Sequence, residues 1–303
     1  MGRSVRYERF GGPEVLEVVD VEPRRPGAGE VRVRVLTAGI NPADYKVFGG
    51  SRVDRYGVVF SRGVGHDFAG VVDEVGEGVT GLALGDRVFG GLRHEALADF
   101  VTIAEDDLLL PVPDGLDTDV AGALAIAGRT AWACVEALGI GAEDTVLVSA
   151  AAGGVGVIAC QLALRRGAIV IGTASEANHE FLRELGVIPV AYGDGLADRV
   201  RRAAPDGVAA VIDAHGAETI DAALELGVPL ERINTIAARG HRDAQGAGGA
   251  DATRADLATV AALAAAGELI VPIDSVYPIE RAAEAYERLM AGHVRGKIVI
   301  VTQ

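Results

Sequence analysis

Alternation of apolar and polar residues marks the first third of the chain. The segment 31–35 alternates valine with arginine, which is the two-residue period of a strand with one buried face. The segments 71–76 and 87–89 are short runs rich in β-branched and aromatic residues, and Gly and Asp turn signals bound them. Short strands at close spacing are typical of a barrel or a sandwich, so residues 1–110 are predicted to form a β-rich domain.

From about residue 120 the pattern changes to strands that alternate with helices. An alanine-rich helix is predicted at 121–138, a buried strand at 145–148 and an apolar helix at 153–166. Further strands are predicted at 168–172, 208–213, 232–237 and 296–301, and further helices at 179–185, 218–226, 254–266 and 279–291. This alternation indicates an α/β domain with a parallel sheet covered on both faces. The Gly- and Ala-rich segment 243–252 is predicted to be a flexible surface loop.

Composition narrows the possible partners. Lys and Arg number 28 and Asp and Glu 43, so the formal net charge is 28 − 43 = −15. A strongly acidic chain repels nucleic acids and anionic membranes. The longest apolar run, 146–164, is interrupted by Gly and Ser and does not resemble a membrane span. The N-terminal segment lacks the apolar core of a signal peptide, and the two cysteines do not form a disulfide framework, so a cytoplasmic location is expected.

The strongest single motif is the segment Ser149–Gly156, which follows a predicted strand and opens a predicted helix. Gly153 and Gly156 take the second and third places of a G-x-G-x-x-G pattern, and Ala151 stands at the first. The second glycine lets the backbone approach a pyrophosphate, and the free N–H groups at a helix start bind the anion. The motif therefore predicts a dinucleotide site; the remaining residues predicted to line it are Ala152, Gly154 and Val155.

The end of the next strand indicates which dinucleotide binds. NAD sites tend to place an acidic side chain there for the ribose 2′-hydroxyl, whereas this strand ends with Thr173 and Ser175. Small polar residues leave room for a 2′-phosphate, and Asn178, His179 and Arg183 follow as possible donors. NADPH is the predicted cofactor, although Glu176 lies just past the strand.

Several segments in order resemble the medium-chain dehydrogenase/reductase superfamily, and within it the zinc-free quinone oxidoreductase and enoyl reductase branch. The matching segments are Ala38–Asp44, Gly65–Val72, Gly85–Gly90, Ala127–Trp132, Ser149–Gly156, Gly172–Ser175 and His293–Val299. The resemblance implies a chaperonin-10-like β-barrel domain formed by both chain ends, here 1–122 and 268–303, with a Rossmann NADP-binding domain at 123–267 between them. It also implies a homodimer in which the cofactor sheets join edge to edge, through the strand predicted at 232–237.

Zinc alcohol dehydrogenases share this fold, so the zinc ligands must be considered. A catalytic zinc needs about three protein ligands of Cys, His or acidic type. The resemblance places the family's first ligand at Asn41, the second at His66 and the third near Ala127. One histidine does not form a metal site, so no metal is expected and a zinc-type alcohol dehydrogenase is disfavoured.

The resemblance also implies the catalytic residues. It places Asn41, Tyr45 and His66 in the active-site cleft. Tyr45 is either a donor to the substrate oxygen or wall packing, and Asn41 is expected to bond the substrate oxygen or the cofactor ribose. His66 is either a hydrogen-bonded structural histidine or a substrate contact and proton donor. Asp44 is expected to cap or brace this loop.

The remaining cofactor contacts follow from the same resemblance. They are Thr130 beside the nicotinamide, Asp213 and Ala214 near the adenosine or pyrophosphate, and the backbone of Ile236, Ala237 and Ala238 at the nicotinamide amide. Lys297 either approaches the cofactor or only ends a strand. Arg129 and His215 depart from the family pattern: Arg129 either binds an anion near the cofactor or forms an outward salt bridge, and His215 replaces a small residue.

The predicted function is the transfer of a hydride from NADPH to a quinone or an α,β-unsaturated carbonyl. Without a metal to polarise a carbonyl, a conjugated acceptor is favoured because the charge spreads to a distant oxygen that hydrogen bonds can stabilise. An NADPH-binding protein with little or no turnover, acting as a sensor or structural component, remains the main alternative.

Overall fold

A computed structural model describes residues 1–302. Its strands are β1 Gly2–Tyr7, β2 Glu17–Val21, β3 Glu30–Gly39, β4 Arg62–Gly63, β5 Asp67–Val75, β6 Arg87–Gly91, β7 Phe100–Ala104, β8 Leu109–Pro111, β9 Thr145–Val148, β10 Ile169–Thr173, β11 Ile188–Val190, β12 Ala210–Asp213, β13 Ile233–Thr235, β14 Ile273–Pro278 and β15 Lys297–Val301.

The α-helices of the described residues lie between these strands, and short 3₁₀ helices also occur. They are α1 Pro42–Phe48, α2 Val53–Tyr56, α3 Thr118–Gly122, α4 Ala125–Ala137, α5 Gly154–Arg165, α6 His179–Glu184, α7 Leu196–Ala203, α8 Ala217–Glu225, α9 Arg254–Ala265 and α10 Ala282–Met290. None of the helices within residues 1–302 is long and apolar enough to cross a membrane.

The chain forms two compact units. The first, called the β unit, comprises residues 1–126, 261–268 and the chain from 272 onward. The second, called the α/β unit, comprises residues 127–260 and 269–271. The chain therefore passes between the two units four times, at 126/127, 260/261, 268/269 and 271/272.

The β unit is organised around a sheet of order β14-β15-β3-β5-β6-β8, in which β7 also pairs with β3. The C-terminal strand β15 runs antiparallel to β3, so the two ends of the chain meet in one sheet. The predicted alternation in β3 is confirmed, because Val31, Val33 and Val35 are each 0% exposed while the arginines between them are partly exposed. A smaller antiparallel sheet, β2-β1-β4, completes the unit.

The α/β unit has a five-stranded sheet of order β11-β10-β9-β12-β13, and every pairing in it is parallel. The predicted alternation of strand and helix is confirmed here. The apolar run of β9 is fully buried, as a central strand covered by helices requires. The chain runs from β9 outward through β10 and β11, then returns to β12, so the strand order reverses between β9 and β12. Ligands of open parallel sheets bind at such a reversal, outside the carboxyl ends of the strands.

Two predicted elements differ from the structure. The helix predicted at 121–138 is wrong as a single element, since α3 ends at Gly122 and α4 begins at Ala125. At this break the backbone packs directly on β3, because a Cβ on Gly39 would lie only 2.5 Å from the Cα of Ala123. The strand predicted at 232–237 is only three residues long, since a 3₁₀ turn ends at Arg232.

The segment 243–252, predicted to be a flexible surface loop, does lie outside the α-helices and strands, but it is hydrogen-bonded to β13. Thr235 N donates to the carbonyl of Gln245 at 3.0 Å. Ala247 N donates to the side-chain oxygen of Asn234 at 2.7 Å, and the Asn234 amide donates back to the carbonyl of Ala247 at 3.2 Å. The segment thus follows the outer edge of β13 and is fixed to it by main-chain and amide hydrogen bonds.

Candidate active site

The turn between β9 and α5 has the backbone geometry of an anion site. Ala150 has a left-handed backbone with φ 47°, and Gly153 N donates to the carbonyl of Ala150 at 2.8 Å. Helix α5 begins directly afterwards, with Gly153 as its N-cap. The first N–H groups of a helix have no intrahelical acceptor, so those of Gly154, Val155 and Gly156 are available to a bound phosphate.

The glycines of this turn have different physical roles. A Cβ on Gly156 would lie 2.2 Å from the carbonyl oxygen of Ala150, so only glycine allows α5 to pack this closely on the turn. A Cβ on Gly153 would lie 3.2 Å from the same oxygen, which is tight but tolerable. Gly153 therefore keeps the approach to the helix start open, and Gly156 allows the close packing of the turn, while Ala152, just before them, is buried. This geometry fits a pyrophosphate group.

A buried carboxylate braces the same end of the sheet. Asp213 is 0% exposed, and its carboxylate accepts hydrogen bonds from the hydroxyls of Ser149, at 2.9 Å, and Thr235, at 2.6 Å. It also accepts from the N–H groups of His215, at 3.0 Å, and Gly216, at 2.9 Å. These bonds tie the carboxyl ends of β9, β12 and β13 together. Sequence reasoning named Asp213 as a cofactor contact but missed Ser149 and Thr235 as its partners.

Polar side chains cluster at the end of β10, where the 2′-phosphate of NADPH is predicted. Thr173 is buried, and its hydroxyl accepts from Ala150 N at 3.2 Å. The amide of Asn178 donates to the Ser175 hydroxyl at 3.4 Å, and a ring nitrogen of His179 lies 3.2 Å from the carbonyl of Ala174. Thr173 thus supports the phosphate turn, and Ser175 and Asn178 face each other beyond it.

The backbone after β13 is held in a defined turn. Ile236 N donates to the carbonyl of Asp213 at 2.9 Å, and Ala237 N and Ala238 N lie 3.3 Å and 3.0 Å from the Thr235 hydroxyl oxygen, to which they donate. These three N–H groups are therefore already hydrogen-bonded within the protein. The predicted contact of this backbone with a nicotinamide amide depends more on its carbonyl groups.

Three further predicted positions lie in the α/β unit. Thr130 is largely buried in α4. The guanidinium of Arg129 donates to the carbonyl of Ala252 at 3.1 Å from Nε, so it anchors the segment beside β13. Ala214 N donates to the Ser149 hydroxyl at 2.9 Å, and the exposed ring of His215 lies 6.1 Å from that of Tyr192.

The β unit contains the predicted catalytic residues, and two of them, Asn41 and His66, belong to a hydrogen-bond network centred on Asp44. Asn41 is the N-cap of α1, and Asn41 N donates to Asp44 Oδ2 at 2.8 Å. The Tyr286 hydroxyl donates to the same oxygen at 3.0 Å, and the Nδ1 of His66 lies 2.5 Å from Asp44 Oδ1. Burial and the Asp44 carboxylate raise the pKa of Tyr286 well above its usual value, which keeps this hydroxyl protonated as a donor.

This arrangement favours the protonated form of His66. Burial lowers the pKa of His66, but the hydrogen bond and the charge of Asp44 more than offset it, so that the pKa is raised. The residue His66 is 8% exposed, and its Nδ1 is paired with Asp44. His66 is therefore a fixed ring whose Nε2 side remains for other contacts.

A second buried pair lies beside this network. Asp67 is 0% exposed and accepts from the Asn41 amide at 3.0 Å and from Ile126 N at 2.9 Å, with the Nζ of Lys297 at 3.6 Å. Lys297 donates to the carbonyl of Ile40 at 3.1 Å and to the side-chain oxygen of Asn41. Lys297 Nζ thus makes these contacts within the β unit. Both polar atoms of the Asn41 side chain are hydrogen-bonded to Asp67 or Lys297.

Tyr45 lies on the same helix, α1, but outside these hydrogen bonds. It is half-buried, and its ring packs against the apolar core of the β unit. Burial raises the pKa of its hydroxyl, so it stays a neutral donor at physiological pH. The structure therefore brings Asn41 and His66 into one network and leaves Tyr45 beside it.

The residues at the family's zinc positions do not fit a zinc ion. The Asn41 amide bonds Asp67 and Lys297, His66 Nδ1 bonds Asp44, and Ala127 offers no ligand atom. Among residues 1–302 no group of three His, Cys, Asp or Glu side chains is placed to hold a metal ion. Hydrogen bonds within the protein replace the ligand set that a catalytic zinc requires.

Comparison with known proteins gives a consistent set of relatives. Residues 27–114 match the family model described as an alcohol dehydrogenase GroES-like domain, and residues 185–300 match that of a zinc-binding dehydrogenase. The chain is 30% identical to a quinone oxidoreductase of Mus musculus over 99% of this chain and 97% of that protein.

Solved structures extend the comparison to the fold. The quinone oxidoreductase from Coxiella burnetii superposes with a TM-score of 0.88 at 29% identity, covering 100% of this chain and 99% of that chain. Mycobacterial Rv1454c complexed with NADPH superposes with a TM-score of 0.85 at 27% identity, covering 99% of this chain and 100% of that chain.

Proposed function

The chain belongs to the quinone oxidoreductase branch of the medium-chain dehydrogenase/reductase superfamily, and from this we propose that it is an NADPH-dependent, zinc-independent reductase of quinones or α,β-unsaturated carbonyls. The predicted family and fold class, a GroES-like β domain with a Rossmann domain, are confirmed. The chain is an oxidoreductase by the same comparison. The observation that carries the proposal is the Ala150–Gly156 turn, which retains the glycine contacts and the free helix start that a pyrophosphate needs.

The choice of NADPH rests on the residues beyond β10. Ser175 and Asn178 supply a hydroxyl and an amide where a 2′-phosphate would lie, and no acidic side chain ends the strand itself. An NAD site would instead place a carboxylate at this point. When bound, NADPH supplies the hydride, and the chain's own residues hold its phosphates and position the acceptor.

The proposed acceptor is conjugated because the β unit offers hydrogen-bond donors and no metal ligand set. Tyr45 is the proposed donor to the acceptor oxygen, and His66, whose protonated form Asp44 favours, is the proposed second donor. The predicted contact of Asn41 with substrate or ribose stays a prediction, since its amide already bonds Asp67 and Lys297. The negative charge that develops on a conjugated acceptor is delocalised to an oxygen distant from the carbon that takes the hydride. Hydrogen-bond donors are enough to stabilise the charge at that oxygen.

Turnover of NADPH tests the proposal directly. The loss of NADPH absorbance is followed with a panel of quinones, enones and enals, with a metal chelator present and NADH in parallel. We expect chelator-resistant oxidation of NADPH with at least one class of acceptor, and slower oxidation of NADH. NADPH binding without turnover of any acceptor would support the alternative, a binding protein with little activity.

The Tyr45 hydroxyl is tested by Tyr45→Phe. Because this change removes one neutral hydrogen bond to the acceptor oxygen, kcat is expected to fall about tenfold while KM changes little. Steady-state kinetics with the best acceptor of the panel measure this, and the melting temperature controls for packing. Unchanged kinetics would show that Tyr45 only packs in the wall.

The homodimer and the cytoplasmic location stay predictions. The strand β13 does lie at the sheet edge, but the segment 245–247 occupies its outer side through Thr235 and Asn234. A dimer joined through this edge would have to displace that segment.

A further inference from the structure

Three consecutive apolar side chains are exposed in the segment between α2 and β4. Val58, Val59 and Phe60 are 59%, 57% and 43% exposed. Elsewhere among the described side chains, the exposed large apolar residues are isolated from one another along the chain. Single exposed apolar residues are ordinary, whereas a run of three is unfavourable in water and is typical of a binding surface. We call residues 57–60 the apolar loop.

The C-terminal end of the apolar loop lies beside the hydrogen-bond network of Asp44 and His66. A Cβ on Gly63, in β4, would lie 2.3 Å from the carbonyl oxygen of His94, so the two backbones touch. The rings of His94 and His66 have centroids 4.9 Å apart. Gly63, His94 and Asp44 also line one small cavity. The chain that leaves the apolar loop therefore passes directly along this network.

Aromatic contacts connect the apolar loop to helix α1, which carries Tyr45. The Phe60 ring lies 5.2 Å from that of Phe10 and 6.0 Å from that of Tyr7, measured between centroids. The Tyr7 ring in turn lies 6.3 Å from that of Phe48, the last residue of α1. Phe60 is therefore held at one edge by the rings of the β unit, and the two valines before it stay exposed.

The place of the apolar loop in the β unit indicates its occupant. Its contacts lead on one side to α1 and on the other to His66, and Tyr45 and His66 are the residues proposed to hold the acceptor. The side chains of Val58 and Val59 offer methyl groups without charge or hydrogen bonds, so they stabilise apolar groups alone. An acceptor held by the two donors would therefore contact the loop through an apolar substituent on its conjugated part.

We propose that the acceptor reduced by this protein carries an apolar substituent, which Val58 and Val59 bind beside the conjugated group held by Tyr45 and His66. The inference rests on the proposed function, because it names the acceptor class of the same site. A substituent that lies on the two valines removes apolar area from water, whereas an acceptor without one leaves the valines exposed. The apolar loop thus selects among acceptors and takes no part in the hydride transfer.

Two enones that differ only in chain length test the proposal. 3-Penten-2-one and 3-nonen-2-one share the same conjugated ketone, and the second has four more methylene groups. We expect kcat/KM to be about tenfold higher for 3-nonen-2-one, because a chain that lies on an open loop is partly buried. The double variant Val58→Ser with Val59→Ser should reduce this preference to about twofold and change kcat/KM for 3-penten-2-one by less than about twofold.

Leu84→Ser is the matched control for the loss of exposed apolar surface. Leu84 is 67% exposed and lies in the segment between β5 and β6. This segment is at the opposite end of the two paired strands from His66, which directly precedes β5. The preference for 3-nonen-2-one should therefore stay at about tenfold in this variant. Melting temperatures close to that of the wild type would show that both variants fold.

Equal losses of kcat/KM for the two enones in the double variant would overturn the proposal, since the valines would then act on the reaction and not on the substituent. A wild-type protein without preference for 3-nonen-2-one would also overturn it. A molar mass that falls from dimer to monomer in the double variant, measured by light scattering, would show that a second copy of the chain covers the loop, and the proposal would be wrong.

Saturation-transfer NMR separates the inference from the proposed function. If neither enone is reduced, reduction of enones is wrong as a function, and the pentyl protons of 3-nonen-2-one are then observed with NADPH-loaded protein. Saturation transfer to these protons that is lost in the double variant and kept in Leu84→Ser supports the inference. Absence of transfer from the wild type refutes it.

Discussion

Replacing Gly153 by Asp is expected to weaken NADPH binding at least ~100-fold, because a carboxylate would then stand at the phosphate site. Two unit charges about 4 Å apart repel by about 4 kcal/mol at the effective dielectric of a protein surface, and ~100-fold corresponds to about 3 kcal/mol. The helix start that favours an anion would then interact with the protein's own carboxylate. The dissociation constant of NADPH, measured by fluorescence titration, tests the prediction.

The matched controls separate charge from shape. Gly153→Asn has nearly the same volume without the charge, and we expect it to bind NADPH at least ~10-fold more tightly than Gly153→Asp. Gly153→Ala adds only a Cβ, which would lie 3.2 Å from the carbonyl oxygen of Ala150, so a small effect is expected. Melting temperatures close to that of the wild type would show that all three variants fold. Normal binding of NADPH by a folded Gly153→Asp would refute the assignment of the phosphate site.

Much of the α/β unit was accessible from sequence because its signals are local. The strand β9, the turn after it and the helix α5 lie within about twenty consecutive residues, and each has a pattern that depends on its neighbours alone. The glycines at 153 and 156 predict that two backbone segments pack closely. The structure shows this close packing between the glycines and the Ala150 carbonyl. The alternation in β3 was readable for the same reason, since side-chain orientation in a strand repeats every two residues.

The catalytic network was accessible only in part because its partners are distant in sequence. Asp44 and Tyr286, whose hydrogen bond fixes the centre of the network, are 242 residues apart. No local pattern connects them, and a tyrosine on an amphipathic helix gives no sign that its hydroxyl ends on a buried carboxylate. The broken helix near Ala123 failed for a similar reason, because a tertiary contact with β3 overrode an alanine-rich pattern.

The segment 243–252 shows a further limit of composition. Its glycines and alanines are typical of flexible loops. In the structure, main-chain and amide groups of β13 fix it, and these groups are present in any sequence. Hydrogen bonds between main-chain groups cannot be read from residue composition. Only the fold therefore shows that this segment lies along the outer edge of β13, where a further strand would otherwise pair.

Replacing Lys297 by Met is expected to destabilise the β unit by about 3–5 kcal/mol, because it leaves Asp67 buried without its cationic partner. Both groups are almost fully buried, and burial lowers the pKa of Lys297 and raises that of Asp67, which shows how unfavourable each charge is alone. The resemblance places Lys297 at the cofactor. In the structure its Nζ instead donates to Ile40 and Asn41 and lies beside Asp67. Urea unfolding followed by circular dichroism measures the loss.

The double variant Lys297→Met with Asp67→Asn distinguishes pairing of Lys297 with Asp67 from contact of Lys297 with the cofactor. If the buried pair accounts for the loss, removal of both charges should recover at least about half of it, since no unpaired charge remains. The NADPH dissociation constant of the folded Lys297→Met variant should then lie within about twofold of the wild-type value. In the wild type the Lys297 ammonium would make no contact with the cofactor, so its removal would cost no binding. A stable Lys297→Met protein that binds NADPH tenfold or more weakly would instead place the ammonium at the cofactor, and the network around Asn41 would have to rearrange when NADPH binds.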